Sequence, residues 1–340
     1  MITTLTKGTA LYADDEGKVI VRHLPFPEPQ DGDSLIKVLY SGVNLSYVPS
    51  LEFFGLKNYA LGSNSAATSS ILQVGDIVAV CVFAGNTRDS HHATYQEYIT
   101  VLPEWISKVP ENIPPHAADG LPVVVGTAGD ALYNRLGLPL PPTVAKSTFD
   151  EGILAPEGTL VIWGGSTGCG MAAIQLARAS RMSAIVAIAS ARNRQFLTSL
   201  GATQCFDYHD IDVVRKIKSA LQVTHGTIWG FDALGLVANP VSQDILKSVI
   251  PPHDKVRLAT VLLAPHEGFE IVVGGRFFDL EFDPPDGTKL SVPKNIVAAN
   301  RHWRVLSWVP ENYGDTMCRH LLNCLKELAK MLLYVGARAS

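Results

Sequence analysis

The chain has 340 residues, 47% of them hydrophobic and 18% charged, a composition that suits a globular protein of two domains at roughly 100–200 residues each. Its 28 basic and 32 acidic side chains leave a formal charge of −4, which argues against a nucleic-acid or anionic-membrane surface. Its apolar stretches, such as 258–264, fall far short of the ~20 residues that span a bilayer.

Acidic residues at 14–16 stand where a signal peptide would carry its apolar segment, so a cytoplasmic protein is expected. The five cysteines, Cys81, Cys169, Cys205, Cys318 and Cys324, are odd in number and contain no Cys-x-x-Cys pair. That spacing suits small buried hydrophobes better than a disulfide framework or a structural zinc site.

The first ~120 residues read as β-rich. Short β-branched runs at 34–40 (SLIKVLY) and 77–83 (IVAVCVF) lie between turn residues, and prolines at 25–29 and 110–115 mark loops. Residues 122–136 have helical character and are followed by the breaker-rich LPLPP. From 159 onward strands and helices alternate. Strands are expected at 159–163, 184–189, 204–206, 226–231 and 256–263, and helices at 171–181, 193–200, 213–221 and 239–249. Such alternation implies right-handed crossovers and a parallel sheet. After ~265 mixed loops are expected, then an apolar helix at 320–335.

Between the strand at 159–163 and the helix at 171–181 stands WGGSTGCG. Glycines allow a sharp turn and let a pyrophosphate approach without meeting a Cβ, while the following helix N-terminus offers free N–H groups. A glycine-rich run alone can be merely a turn; its place between strand and helix favours a dinucleotide. An NAD site usually has an acidic residue about 20 positions further on, for the ribose hydroxyls. Here the second strand ends in Ala189-Ser190-Ala191-Arg192-Asn193, with no carboxylate. Arg192 and Ser190 can hold a 2′-phosphate, which makes NADP(H) the expected cofactor. The alternative makes Arg192 a solvated residue opening the second helix.

WGGSTGCGMAAIQLAR, SARN and LGATQCFDYHD together resemble the medium-chain dehydrogenase/reductase superfamily. VNLSYVPSLEFFGLKNYALG, QVGDIVAV, TYQEYITV and GTAGDALYNRLGLPLPP resemble its zinc-free fungal branch, which includes trans-acting enoyl reductases of polyketide pathways. The likeness runs with gaps from about residue 10 to about 265. It implies an α/β chain in which a Rossmann doubly wound sheet (122–269) is inserted into a discontinuous, β-rich GroES-like catalytic domain (1–121 and 270–340), with NADPH between them. By position, Gly165, Ser166, Thr167, Gly168 and Cys169 would face the pyrophosphate. Ser190, Arg192 and Asn193 would surround the adenosine phosphate, with Tyr208 near the adenine ribose. Asn44, Gly126, Thr127, Asp130 and Tyr133 would line the substrate channel. Tyr208 could instead be packed, and Thr127 an ordinary helix-start hydroxyl.

The chain departs from that pattern in its catalytic half. The fungal enzymes commonly carry Asn-Pro-x-Asp-x-Lys after the VN; here Tyr47 holds the Asp position and Pro49 the Lys position. Proline has no proton to donate, so the chain must use another group or water, or not do that chemistry; Tyr47 is the candidate replacement donor, with a purely structural phenol as the alternative. The segment 61–75 is short, as though a strand before QVGD were missing, with Asn64 where an acid is expected, and the catalytic domain reads as eroded towards its end. The adjacent His91 and His92 read as a surface loop, so no metal is expected, and no G-x-S-x-G elbow occurs.

Three functions compete. The first is an NADPH-dependent reductase of an enoyl or other α,β-unsaturated carbonyl, acting on a hydrophobic small-molecule or carrier-bound substrate. The second is a redox-neutral cyclase, pericyclase or isomerase reusing the cleft, which Pro49 favours. The third is a non-catalytic nucleotide-binding protein with a synthase partner. A monomer and a homodimer both fit. Apolar residues at 123–125 and 261–263 are read first as core.

Overall fold

The computed structural model describes residues 7–30, 32–42, 59–61, 64–69, 73, 75–82, 90–237, 239–274, 276–282 and 289–311. They divide into two compact units, Met1–Val123 with Arg276–Ile296, and Val124–Gly275 with the chain from Val297 onward.

The first unit is built on antiparallel pairing. Strands β1 (Lys7–Ala13) and β2 (Val19–Pro25) form a hairpin that β4 (Tyr59–Ala60) joins through β1. The second sheet contains β3 (Ser34–Tyr40), β5 (Asn64–Ser69), β6 (Asp76–Cys81), β7 (Tyr98–Val101) and β8 (Ile106–Lys108), in the order β7-β3-β5-β6-β8. In β3 the side chains of Ser34 and Ile36 are buried and Lys37 is exposed, the period of two that a half-buried strand requires. The expectation of a missing strand before QVGD is corrected here. β5 pairs with β3 on one side and with β6 on the other. Ladder bonds are made by backbone groups, so the short run NSAATS can occupy a central position.

His91 and His92 are also not a surface loop. They form a helical turn in which both are half-buried. The His92 Nδ1 lies 2.6 Å from the Thr100 carbonyl, and its ring packs edge-on against Trp105. A single helical turn, α1 (Pro115–Ala118), closes this part of the unit.

The second unit begins within α2 (Leu121–Gly129), which continues into a wider π-helical segment, Asp130–Arg135. Five strands joined by four helices follow: β9 (Gly158–Trp163), α3 (Gly168–Ala179), β10 (Ile185–Ile188), α4 (Arg194–Leu200), β11 (Gln204–Phe206), α5 (Val213–Leu221), β12 (Thr227–Asp232), α6 (Ser242–Val249) and β13 (Val256–Thr260). A sixth strand, β14 (Phe269–Ile271), pairs parallel with β13 where only loops were expected; three residues are too few to show a periodic pattern. The sheet order is β11-β10-β9-β12-β13-β14, parallel throughout.

Helices sandwich this sheet, so β9, β10 and β12 are buried almost end to end. α5 shows how such a helix docks. Val213, Ile217 and Leu221, spaced by four, are buried, while Arg215 and Lys216 are exposed. Those three side chains join Val161, Val186 and Ile228 in one core cluster. At about 1.5–3 kcal/mol per fully buried aliphatic side chain, this core fixes the strand ends on which a site can be built.

The remaining described chain gives the hairpin β15 (Leu280–Phe282) and β16 (Leu290–Val292) to the first unit, then α7 (Ile296–Glu311). No helix is expected at 296–311 from the residue pattern, and α7 packs with the second unit. Arg301, 11% exposed, pairs with Asp150 at 3.1 Å and donates to the Leu138 carbonyl, while Asn134 donates to the Ala298 carbonyl. The helix expected at 320–335 lies outside the described residues.

Candidate dinucleotide site

The strand order places a topological switch between β9 and β12, because the chain leaves β9 towards β10 on one side and reaches β12 on the other. In open parallel sheets the carboxyl ends of strands at such a point form a ligand crevice. The glycine turn Gly164–Thr167 occupies it. Gly164 adopts φ +84°, and the N–H groups of Gly164 and Gly165 both donate to the Ile188 carbonyl, which bends the chain back towards the helix. A Cβ on Gly170 would stand 2.2 Å from the Gly164 carbonyl oxygen, so only glycine lets α3 approach the turn this closely.

Thr167 caps α3. Its hydroxyl accepts the Gly170 N–H at 3.0 Å and donates to the Ala233 carbonyl at 3.0 Å. Its hydroxyl is therefore part of the turn's frame, while the residue stays half-exposed. The N–H groups of Gly168 and Cys169, in the first turn of α3, have no carbonyl one turn back, and they carry the positive end of the helix dipole. The Cys169 thiol is pushed up to about 11 by burial, only partly offset by its hydrogen bond with Thr127. A helix N-terminus normally lowers a thiol pKa, but here desolvation dominates and the sulfur stays protonated.

The exits of β10 and β11 form the neighbouring surface. The Ala189 N–H donates to the Phe206 carbonyl, which brings the two exits together. Ser190 Oγ then donates to Tyr208 Oη at 3.0 Å, and Tyr208 is 47% exposed. Arg192 is exposed and Asn193 half-exposed, at the start of α4. Two neighbours were not anticipated. His209 stacks against Tyr208 with ring centroids 4.1 Å apart and meets Asp207 Oδ1 at 3.0 Å. Asp207 is held below the usual carboxylate range chiefly by the His209 N–H, with the His209 ring and the Ala191 N–H adding to it. The sequence signal for both residues was the FDYHD run itself.

The expected substrate-lining set behaves differently. Asp130 is 1% exposed; its carboxylate accepts from Asn134 Nδ2 at 2.8 Å, Arg135 Nε at 3.2 Å and the Val273 N–H at 2.9 Å. Tyr133 is buried, donates to the Leu176 carbonyl and accepts from Ser180 Oγ, and burial raises its phenol well above the ordinary value. Gly126 is buried against His302, whose Cε1 would lie 2.4 Å from a Cβ there. At all three positions the side chain or the gap is met by protein. Thr127 alone stays half-exposed, beside Cys169. Asn44, Tyr47 and Pro49 lie outside the described residues. Among the described residues, no three His, Cys, Asp or Glu side chains gather as a metal-holding group.

The exit of β12 was not singled out from sequence, and it stands directly against the turn. A Cβ on Gly164 would lie 3.0 Å from Leu234 Cβ. Residues 261–263, expected to be core, are half-exposed beside it at the end of β13, whereas Val125 is buried as expected. Both stretches are apolar, so residue type alone does not separate an open strand end from the buried side of a helix.

A parallel sheet in this order, with a glycine turn at its switch point, defines a Rossmann-type dinucleotide-binding fold. Among solved structures, a probable oxidoreductase from Mycobacterium abscessus aligns over 95% of this chain and 96% of its own, with TM-score 0.61 and 16% identity. The quinone oxidoreductase from Coxiella burnetii aligns over 97% and 96%, with TM-score 0.57 and 19% identity.

No protein-family model matches the chain. The zinc-type alcohol dehydrogenase-like protein of Schizosaccharomyces pombe is 30% identical over 233 residues, covering 66% of this chain and 64% of that protein. The trans-enoyl reductase himH of Aspergillus japonicus is 35% identical over 200 residues, covering 55% of each. The chain thus spans less than two thirds of the length of these curated relatives. These likenesses support a place in the medium-chain dehydrogenase/reductase superfamily, with fungal trans-enoyl reductases among the chain's relatives. No helix among the described residues is long and apolar enough to cross a membrane.

Proposed function

We propose that the chain is an NADPH-dependent reductase of an enoyl or other α,β-unsaturated carbonyl substrate in fungal, polyketide-type secondary metabolism. The observation that carries this reading is the surface at the exits of β10 and β11. Arg192 is exposed there, Ser190 and Tyr208 are joined, and β10 ends without a carboxylate. The acid next to Tyr208, Asp207, is engaged by His209 and Ala191. A guanidinium beside two hydroxyls fits a 2′-phosphate better than a bare ribose. The names of the relatives supply the reaction class.

In this reading the Gly168 and Cys169 N–H groups bind the pyrophosphate, while Arg192, Ser190 and Tyr208 bind the adenosine phosphate. Bound NADPH supplies the hydride. The protonated Cys169 and the deeply buried Tyr133 are unsuited to moving a proton, which leaves Tyr47 as the proposed donor to a hydrophobic or carrier-bound substrate.

Pro49 in the usual Lys position favours a second reading, a redox-neutral reaction in the same cleft. The two separate cleanly. Purified protein is mixed with NADPH or NADH and a panel of α,β-unsaturated thioesters and ketones, and binding and loss of reduced-nicotinamide absorbance are followed. The reductase reading requires NADPH binding and turnover. Product formed equally well by protein stripped of nucleotide would replace it with the redox-neutral reading.

A further inference from the structure

At the end of β12 a single carboxylate gathers the loop that faces the glycine turn. Asp232 is fully buried, as are Ser242 and Thr260. One of its oxygens accepts the N–H groups of Leu234 and Gly235, each at 3.2 Å. The other accepts the hydroxyls of Ser242 at 2.7 Å and Thr260 at 2.9 Å. Each hydroxyl passes the constraint on: Ser242 Oγ accepts the Leu236 N–H, and Thr260 Oγ1 accepts the Leu262 N–H. Both loops at the exits of β12 and β13 are therefore fixed by one buried charge with four donors.

The same loop is tied to the turn. The Ala233 N–H donates to the Trp163 carbonyl, and the Ala233 carbonyl accepts the Thr167 hydroxyl. What the loop presents outward is apolar: Leu234 is 43% exposed, Leu236 41% and Val237 77%.

Sheet order determines what such a wall can meet. The adenosine surface lies on the β10–β11 side of the turn, and this loop lies on the β12–β13 side. A dinucleotide whose pyrophosphate rests on the turn extends one half to each side. We infer that Asp232, acting through Ser242 and Thr260, is a positioning residue that holds Leu234–Val237 as a fixed apolar wall for the nicotinamide half. This rests on the dinucleotide reading proposed above.

Thr260→Val keeps volume and removes the hydroxyl, whereas Thr260→Ser keeps the hydroxyl and loses a methyl. Calorimetry on the full chain compares NADPH with adenosine 2′,5′-bisphosphate, which lacks the nicotinamide half. Thr260→Val is expected to weaken NADPH about tenfold and the bisphosphate less than twofold, with Thr260→Ser close to the parent protein. Ser242→Ala carries the same comparison if Thr260→Val does not fold. Equal losses for both ligands, unchanged NADPH affinity, or a Thr260→Ser variant as impaired as Thr260→Val would overturn the inference. A parent protein that binds neither ligand would overturn the dinucleotide reading itself.

Discussion

The segment Ser190–Tyr208 and the segment Gly126–Tyr133 both carry hydroxyls and charges close to glycine-bearing turns, and by resemblance both belong beside the cofactor. In the first, Arg192 and Tyr208 are exposed and the Ser190–Tyr208 bond leaves a polar surface facing outward. In the second, Asp130 has three protein donors, Tyr133 two hydrogen-bond partners, and Gly126 is a gap filled by the His302 ring. A polar side chain is available to a ligand only where folding has not already satisfied it. Because buried polar groups are almost always partnered, burial separates the two segments where residue type does not.

That contrast predicts two sets of variants with opposite phenotypes. The largest effect is expected at Asp130. Asp130→Ala leaves Arg135, which is 11% exposed and bonded to Asp130 at 3.2 Å, with only a longer 3.8 Å pair to the exposed Glu270, and should cost about 3 kcal/mol by chemical unfolding. If NADPH affinity fell instead and stability held, the segment would face the ligand after all.

His302 gives a pH signature to the same buried region. Burial pushes its imidazole down to about 4, with the nearby Asp130 opposing. The folded state therefore binds fewer protons than the unfolded chain between about 6.5 and 4. This contribution is intact above about 6.5 and is lost as pH falls through that window, at up to ~1.4 kcal/mol per unit. Asp119 works in the other direction, since burial raises it to about 6 and its contribution falls as pH rises from its ordinary 3.8. The informative measurement is thus the difference in unfolding free energy between the protein and His302→Gln across this range, which should narrow towards acid pH. A constant difference would mean that His302 titrates normally.

Arg192→Ala should leave stability within ~0.5 kcal/mol and weaken NADPH by about tenfold to a hundredfold, while NADH binding is unchanged. Equal losses for the two nucleotides would reject the 2′-phosphate assignment. The smallest effect is expected from Tyr133→Phe. It leaves the Leu176 carbonyl and Ser180 hydroxyl short of a partner for ~1 kcal/mol of stability, with turnover unaltered.

Much of the fold can be read from residues alone because parallel strands buried on both faces are continuous apolar runs. β11 and α5 fall at the expected bounds, and β9, β10 and β12 within a residue or so. The glycine turn is legible for the same local reason: a positive φ at Gly164 and the 2.2 Å approach at Gly170 admit no side chain. The amino-acid sequence by itself determined the strand–turn–helix order of the cradle and the lack of a carboxylate directly after β10, since each is set by neighbours within a few residues. Tertiary structure alone decided which polar groups remain open. The partners that close Asp130, Gly126 and Asp232 come from Val273, His302 and Thr260, and no local pattern marks contacts made at such sequence distances.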